Sequence, residues 1–124
     1  MSTEDQKQSP AVEKEVIHKL HDQLKKIQEP KGYFFNVDKE LTWPLLEQLL
    51  ITKNRYGYMA CPCRFANGTY ELDKDIICPC EYREPDVKEY GACYCGLYVK
   101  KEWNEGSIPK AYVPERRPAE KIKF

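Results

Sequence analysis

Cys61-Pro62-Cys63, Cys78-Pro79-Cys80 and Cys93-Tyr94-Cys95 hold all six cysteines of this 124-residue chain. Residues 64–77 separate the first pair from the second, and residues 81–92 the second from the third. So many thiols in one short window have three chemical explanations: a disulfide framework, a zinc site or an iron–sulfur cluster. The two sulfurs of a C-x-C pair are poorly placed to bridge each other, so a framework would need every bond to run between pairs. Such frameworks belong to secreted chains, and the polar, acidic opening Met1-Ser2-Thr3-Glu4-Asp5-Gln6 does not read as a secretory leader. Structural zinc takes four ligands, usually from C-x2-4-C knuckles, a spacing that C-P-C does not reproduce. His18 and His21 lie far upstream on an expected helix and are read as facing solvent.

A [4Fe–4S] cluster also takes four thiolates, and here the two left over have a use. A cysteine two residues from a ligand must lie close to the cluster. Two pairs can each give one ligand and one spare, while the remaining pair gives both thiols to iron. The spares then form a redox-active disulfide beside an electron carrier.

The stretch from Tyr33 to Val99 resembles the catalytic (beta) chain of ferredoxin:thioredoxin reductase, whose pattern is two C-P-C pairs followed by C-H-C. Further matches are Val37-Asp38-Lys39, Tyr56-Gly57 and Cys61-Pro62-Cys63-Arg64. The spacing between pairs differs from that of the chloroplast enzymes and suggests the archaeal or bacterial ferredoxin:disulfide reductase branch. By this resemblance Cys61, Cys78, Cys80 and Cys93 bind the [4Fe–4S] cluster, and Cys63 and Cys95 form the disulfide. Cys63 is then the exposed nucleophile and Cys95 its cluster-facing partner. Read from the residues alone, the opposite choice within either flanking pair is equally good.

The resemblance implies a ferredoxin-dependent reductase of thioredoxin or a similar disulfide, working in two one-electron steps. The alternatives are a simple iron–sulfur electron carrier and a zinc-stabilised interaction module. Ferredoxin and a disulfide substrate are the implied partners, and a small non-catalytic subunit is left open. Tyr94 stands where the family has histidine, and a phenol, which ordinarily titrates near about pH 10, is a poorer proton donor near neutral pH. Arg64, next to the expected nucleophile, can favour its thiolate or sit in a surface ion pair. Pro62 and Pro79 stiffen their pairs by fixing φ.

Composition sets the frame. Hydrophobic residues make up 41% and charged residues 32% of the chain, and the mean hydropathy is −0.75. A single small domain with a modest apolar core follows, one that a metal centre would help to organise. Twenty basic and twenty acidic residues cancel, which removes the electrostatic footprint of a nucleic-acid binder. No apolar run is long enough to span a membrane. A cytoplasmic protein is expected, and in that compartment a disulfide is more often catalytic than structural.

Along the chain, residues 1–8 read as a disordered polar tail and 9–30 as an amphipathic helix. Residues 31–104 form the iron–sulfur catalytic domain, and 105–124 an extended C-terminal tail. The first helix is expected to start at Ser9-Pro10, serine as cap and proline in the first turn, and to bury Val12, Val16, Leu20, Leu24 and Ile27. Tyr33-Phe34-Phe35-Asn36-Val37 is β-prone but has no evident partner. Asp38 or Thr42 caps a second helix that tolerates Pro44 in its first turn and buries Leu41, Leu45, Leu46, Leu49 and Leu50. Asn67-Gly68 is a turn. Residues 71–77 form a helical turn, and a short helix runs from Glu84 to Gly91. Trp103 and Ile108–Pro114 read as extended, and Lys100, Lys101, Arg116, Arg117, Lys121 and Lys123 as a basic docking surface. The fold expected is a small, mainly-α protein whose short helices and loops wrap a [4Fe–4S] cluster.

Overall fold

The second helix of the sequence carries the widest apolar face and organises the rest. It runs from Lys39 to Tyr56 in the computed structural model, which describes residues 13–64 and 66–121. Asp38 is its N-cap, accepting the Glu40 N–H at 3.1 Å. Thr42 is buried instead of capping, and its hydroxyl donates to the Asn36 carbonyl at 2.7 Å. Pro44 therefore falls in the second turn and not the first. Leu45, Leu46 and Leu49 are buried, and Leu41 and Leu50 are half-buried, as expected. Gly57, at φ 90°, ends the helix by donating to Lys53 O.

We label this helix α2; α1, Lys14–Gln28, packs against it. The expected start at Ser9-Pro10 lies outside the described residues, as does Val12. The described helix begins at Lys14, with Glu13 in extended backbone as its cap. Its buried face also differs from the expected stripe. Ile17, Leu24 and Gln28 are buried and Leu20 half-buried, whereas Val16 and Ile27 are 44% and 52% exposed. A helix turns every 3.6 residues, so steps of three and four must alternate to stay on one face. Positions 17, 20, 24 and 28, at steps of three, four and four, stay close to one face. His21 is half-buried, contrary to its solvent-facing expectation: its ring stacks on Phe35 and Trp43, each at 4.8 Å. His18 is exposed and rests over Trp43.

The aromatic segment after α1 finds its partner far downstream. β1, Phe34–Phe35, pairs antiparallel with β2, Tyr98–Val99, in the register Phe34 to Val99 and Phe35 to Tyr98. The other α-helices are short: α3, Tyr70–Asp73, which tightens into a 3-10 turn at 74–76; α4, Arg83–Tyr90; and α5, Lys101–Glu105; single 3-10 turns also lie at Glu29–Lys31 and Ala119–Lys121. Trp103 thus lies on a helix and not on an extended segment, and its indole is buried against Ala92, Val99 and Val113. The molecule is small and mainly helical, in line with expectation.

Leu46, Leu49, Ile76, Leu97, Tyr98 and Val99 are completely or almost completely enclosed. Cys61, Cys93 and Cys95 are buried in one cluster with all of these but Val99, which packs with Ala92, Trp103 and Val113. Residues 107–118 carry no helix or strand, yet Val113 and Arg117 are buried along them. The chain returns across the cysteine segments and is fastened there.

Candidate metal and redox centre

Each C-x-C pair sits at the start of a tight turn. The Arg64 N–H donates to Cys61 O, the Arg83 N–H to Cys80 O, and the Gly96 N–H to Cys93 O. The first two pairs are tied together by a short antiparallel bridge between Ala60 and Ile77. Across it Cys61 N–H donates to Ile76 O and Cys78 N–H to Met59 O, both at 2.8 Å. The third pair is held by β2, through a bond from Cys93 N–H to Tyr98 O at 2.9 Å and a bridge between Ala92 and Val99. Gly96 follows Cys95 at φ 81°, a conformation that favours glycine. A side chain there would also press on Leu41 of α2 at 3.2 Å.

These turns aim the thiols at one place. Cys61, Cys78, Cys80, Cys93 and Cys95 line a single small cavity, with Arg64, Arg83 and Tyr98 also on its wall. Cys63 is the exposed cysteine at its edge. The structure thus brings together all six cysteines singled out in the sequence. Cys95 lies among the others: its Sγ is 3.8 Å from Cys93 Sγ, and it hydrogen-bonds Cys61 and Cys63. Those bonds hold the proton on Cys95 and push its pKa well up. The same bonds pull Cys61 and Cys63 below the ordinary thiol range and bring Cys93 to about 7. Burial pushes Cys78 well up and Cys80 to about 11.

Arg64 does not lie along the surface, and it hydrogen-bonds thiols other than that of its neighbour Cys63. It is buried, and its Nη1 donates to Cys80 Sγ at 3.3 Å and Cys61 Sγ at 3.5 Å. Its Nε bonds both carboxylate oxygens of Glu115 at 2.9 Å, and its Nη2 approaches Glu115 Oε1 at 2.7 Å. Tyr82 and Tyr94 flank the guanidinium at 4.9 and 4.7 Å. Tyr94, at the family's histidine position, is therefore an arginine-stacking ring. Burial raises its pKa, which makes it still less ready to give up a proton.

Glu115 belongs to a strap that binds each segment between the cysteine pairs. Arg117 is buried between Asp73 and Asp75; its Nε donates to Asp75 Oδ2 at 2.8 Å, and its Nη2 lies 3.7 Å from Asp73 Oδ1. Tyr82 and Tyr58 donate to Asp75 and Asp73, each at 2.6 Å. Arg116 pairs with the buried Asp86 at 2.8 Å and with Glu89 at 2.6 Å. Arg116 and Arg117 are thereby removed from the expected basic docking surface, and Lys123 lies outside the described residues. Glu115 and Arg83 escaped sequence reading, and Arg117 reads there only as part of the basic docking surface. Nothing near them in sequence marks these roles, because the side chains that theirs hydrogen-bond are 42 to 55 residues away.

The donor set suits a sulfur-ligated group. The thiols converge on one sulfur-lined cavity, and N–H donors already face them. Tyr98 N–H donates to Cys93 Sγ at 3.3 Å, and Arg64 serves Cys61 and Cys80. Such N–H···S contacts tune iron–sulfur centres. Among the described residues the side chains are not preassembled as a metal cage; they surround a common space.

Among described residues, no helix is long and apolar enough to cross a membrane. The ferredoxin-thioredoxin reductase catalytic chain of Pyropia yezoensis is 34% identical to this protein over 74 residues. That alignment covers 55% of this chain and 57% of the relative, so the chain spans a little over half the length of the relative it matches. The family model of the ferredoxin thioredoxin reductase catalytic beta chain matches residues 10–118, a span that contains all three cysteine pairs, the arginine stack and most of the strap. The chain belongs to the ferredoxin thioredoxin reductase catalytic beta-chain family.

Proposed function

We propose that this protein is a ferredoxin-dependent disulfide reductase in which Cys61, Cys78, Cys80 and Cys93 hold a [4Fe–4S] cluster. Cys63 and Cys95 form the redox-active disulfide. The observation that carries this reading is the pairing of one exposed thiol, Cys63, with a buried thiol, Cys95, that is hydrogen-bonded to it inside the cysteine cavity. A substrate can reach the first and not the second. A bound cluster would supply a one-electron store beside the disulfide, so that single electrons from ferredoxin add up to the pair that a disulfide needs.

The residues then act in sequence. Cys63, held below the ordinary thiol range by Cys95, attacks one sulfur of the substrate disulfide. A mixed disulfide forms and one substrate thiolate leaves, taking a proton from solvent. The Cys95 sulfur next attacks Cys63 Sγ, and the second substrate sulfur leaves with the proton that Cys95 gives up. The Cys63–Cys95 disulfide is restored to its oxidised form, and two electrons from ferredoxin with one proton from solvent return it to the Cys63 thiolate and the Cys95 thiol. Tyr94 keeps its proton throughout and holds Arg64 in place.

Thioredoxin or a similar disulfide is the substrate in this reading, and the compartment is the reducing cytoplasm, where such a bond is catalytic. A small non-catalytic subunit would complete the assembly. Iron, sulfide and thiol counts on anaerobically purified protein test the proposal, together with a cysteine-to-serine series. Replacing Cys61, Cys78, Cys80 or Cys93 should lose iron, whereas Cys63→Ser and Cys95→Ser should stay brown and inactive. Cys95→Ser should trap the mixed disulfide with its substrate. A colourless protein, or one that bleaches with Cys63→Ser and not with Cys61→Ser, overturns the assignment.

A further inference from the structure

Tyr98 carries a hydroxyl that its surroundings do not use. The residue is 1% exposed, and among the described residues its Oη finds no hydrogen-bond partner. Everything else about the side chain is satisfied by its ring. The ring stacks on Phe35 at 5.5 Å, meets the edge of Tyr33 at 6.5 Å and lies under the Arg83 guanidinium at 4.9 Å. A phenylalanine would make all three contacts. The extra oxygen is a buried polar atom, a costly thing to leave unpaired and one that native proteins seldom keep without reason.

The position of Tyr98 says what the reason is. It lines the cysteine cavity, and its own N–H is already committed to Cys93 Sγ. The thiols whose charges reach the phenol are Cys78, Cys93 and Cys95, yet none of them accepts its proton. Arg83, facing the ring, is a donor without acceptor capacity. What is missing is an acceptor inside the cavity, and the surrounding chemistry is sulfur.

We propose that the Tyr98 hydroxyl donates a hydrogen bond to a sulfur of the cluster held in the cysteine cavity. Tyr98 thereby becomes a cluster-contacting residue. This rests on the cluster reading given above. A donor aimed at cluster sulfur stabilises the reduced, more negative state, so the hydroxyl raises the reduction potential. It adds a second contact from β2, whose backbone N–H serves Cys93 and whose side chain serves the cluster.

Tyr98→Phe in the loaded, anaerobically purified protein tests this, because it removes one oxygen and keeps the ring. The variant should keep its iron while its midpoint moves negative. The ratio of reduced to oxidised protein at the wild-type midpoint should fall about threefold to tenfold, tenfold corresponding to roughly 59 mV for one electron. In an odd-electron state, one exchangeable proton coupling seen in the wild type should vanish. An unchanged midpoint with every exchangeable coupling retained overturns the proposal. Should the variant lose its cluster, wild-type protein made with tyrosine deuterated beside the hydroxyl gives the answer. A deuterium coupling that survives Tyr94→Phe supports the contact, and its absence overturns it. Wild-type protein without iron and sulfide would overturn the cluster reading itself, whereas a loaded wild type with an indifferent variant sinks only the role of Tyr98.

Discussion

The difference in exposure between Cys63 and Cys95 governs their chemistry. Cys63 is exposed and its pKa is depressed by the bond from Cys95; Cys95 is 9% exposed and keeps its proton. Alkylation of the reduced protein should therefore label Cys63 first, because reaction needs both access and thiolate. Peptide mapping checks this, and labelling of Cys95 first would reverse the roles. Arg64 presents a second test at this scale. Its guanidinium reaches Cys61 and Cys80 through Nη1 while Glu115 binds its Nε. Glu115→Ala should cost about 1.5–3 kcal/mol in urea unfolding, the range for a hydrogen bond to a charged group. An unchanged midpoint would mean that the arginine holds its place through the two tyrosine rings alone.

The C-terminal strap and the end of α4 set the stability of the elements around the site. Arg117 is buried between Asp73 and Asp75. Burial by itself raises these two carboxyls. It is outweighed by the bonds from Tyr58 to Asp73 and from Tyr82 to Asp75, together with backbone N–H groups and Arg117, so both pKa values lie below the ordinary range. The stability they contribute is complete above the unfolded value of about 3.9 and is lost as pH falls through the lower folded values. Urea midpoints should accordingly hold between about pH 7 and 5 as far as these groups are concerned, and fall below about pH 4. Arg117→Met should cost about 3–5 kcal/mol near pH 7 by leaving buried charge unpaired, and should shrink the acid fall, because the folded pKa values of Asp73 and Asp75 move up toward the unfolded ones. A variant as stable as the wild type would show that the strap is held elsewhere. At the end of α4, Gly91 has φ 89°, and a Cβ there would lie 2.7 Å from Ile108 Cδ1. Gly91→Ala should cost at least the roughly 1–2 kcal/mol of a left-handed alanine, read as a lower melting temperature.

At the scale of the whole molecule, charge is balanced overall and the cationic groups differ in availability. Arg116 and Arg117 are spent on Asp86, Glu89, Asp73 and Asp75. Lys100 and Lys101 stay near the surface just after β2; Lys101 forms only a 3.8 Å pair with Glu105, and both side chains of that pair are largely exposed. Exposed pairs of this kind are weak, so these lysines can still attract an acidic electron donor. Ferredoxin-dependent rates should fall as salt rises, since screening acts over about 10 Å at 0.1 M. Lys100→Glu with Lys101→Glu should flatten that dependence, and a salt response left intact by the double change would place the docking surface elsewhere.

The sequence by itself determined which thiols the site contains. Six cysteines in three C-x-C pairs state their number and spacing locally, and the helix signals at Asp38, Gly57 and Gly91 lie within a turn of the residues they cap. Helix α2 was legible for the same reason, its leucines being neighbours on one face. What the sequence could not express is contact between distant positions. The partner of Phe34–Phe35 lies at Tyr98–Val99, and His21 turned inward because Phe35 and Trp43 were there to receive it. Arg117 reads as one more base in a charged tail until Asp73 and Asp75 enclose it. Only the tertiary structure separated the exposed Cys63 from the buried Cys95 within otherwise equivalent pairs. Spacing fixes how far apart two sulfurs are along the chain, whereas burial depends on what the rest of the molecule packs against each of them.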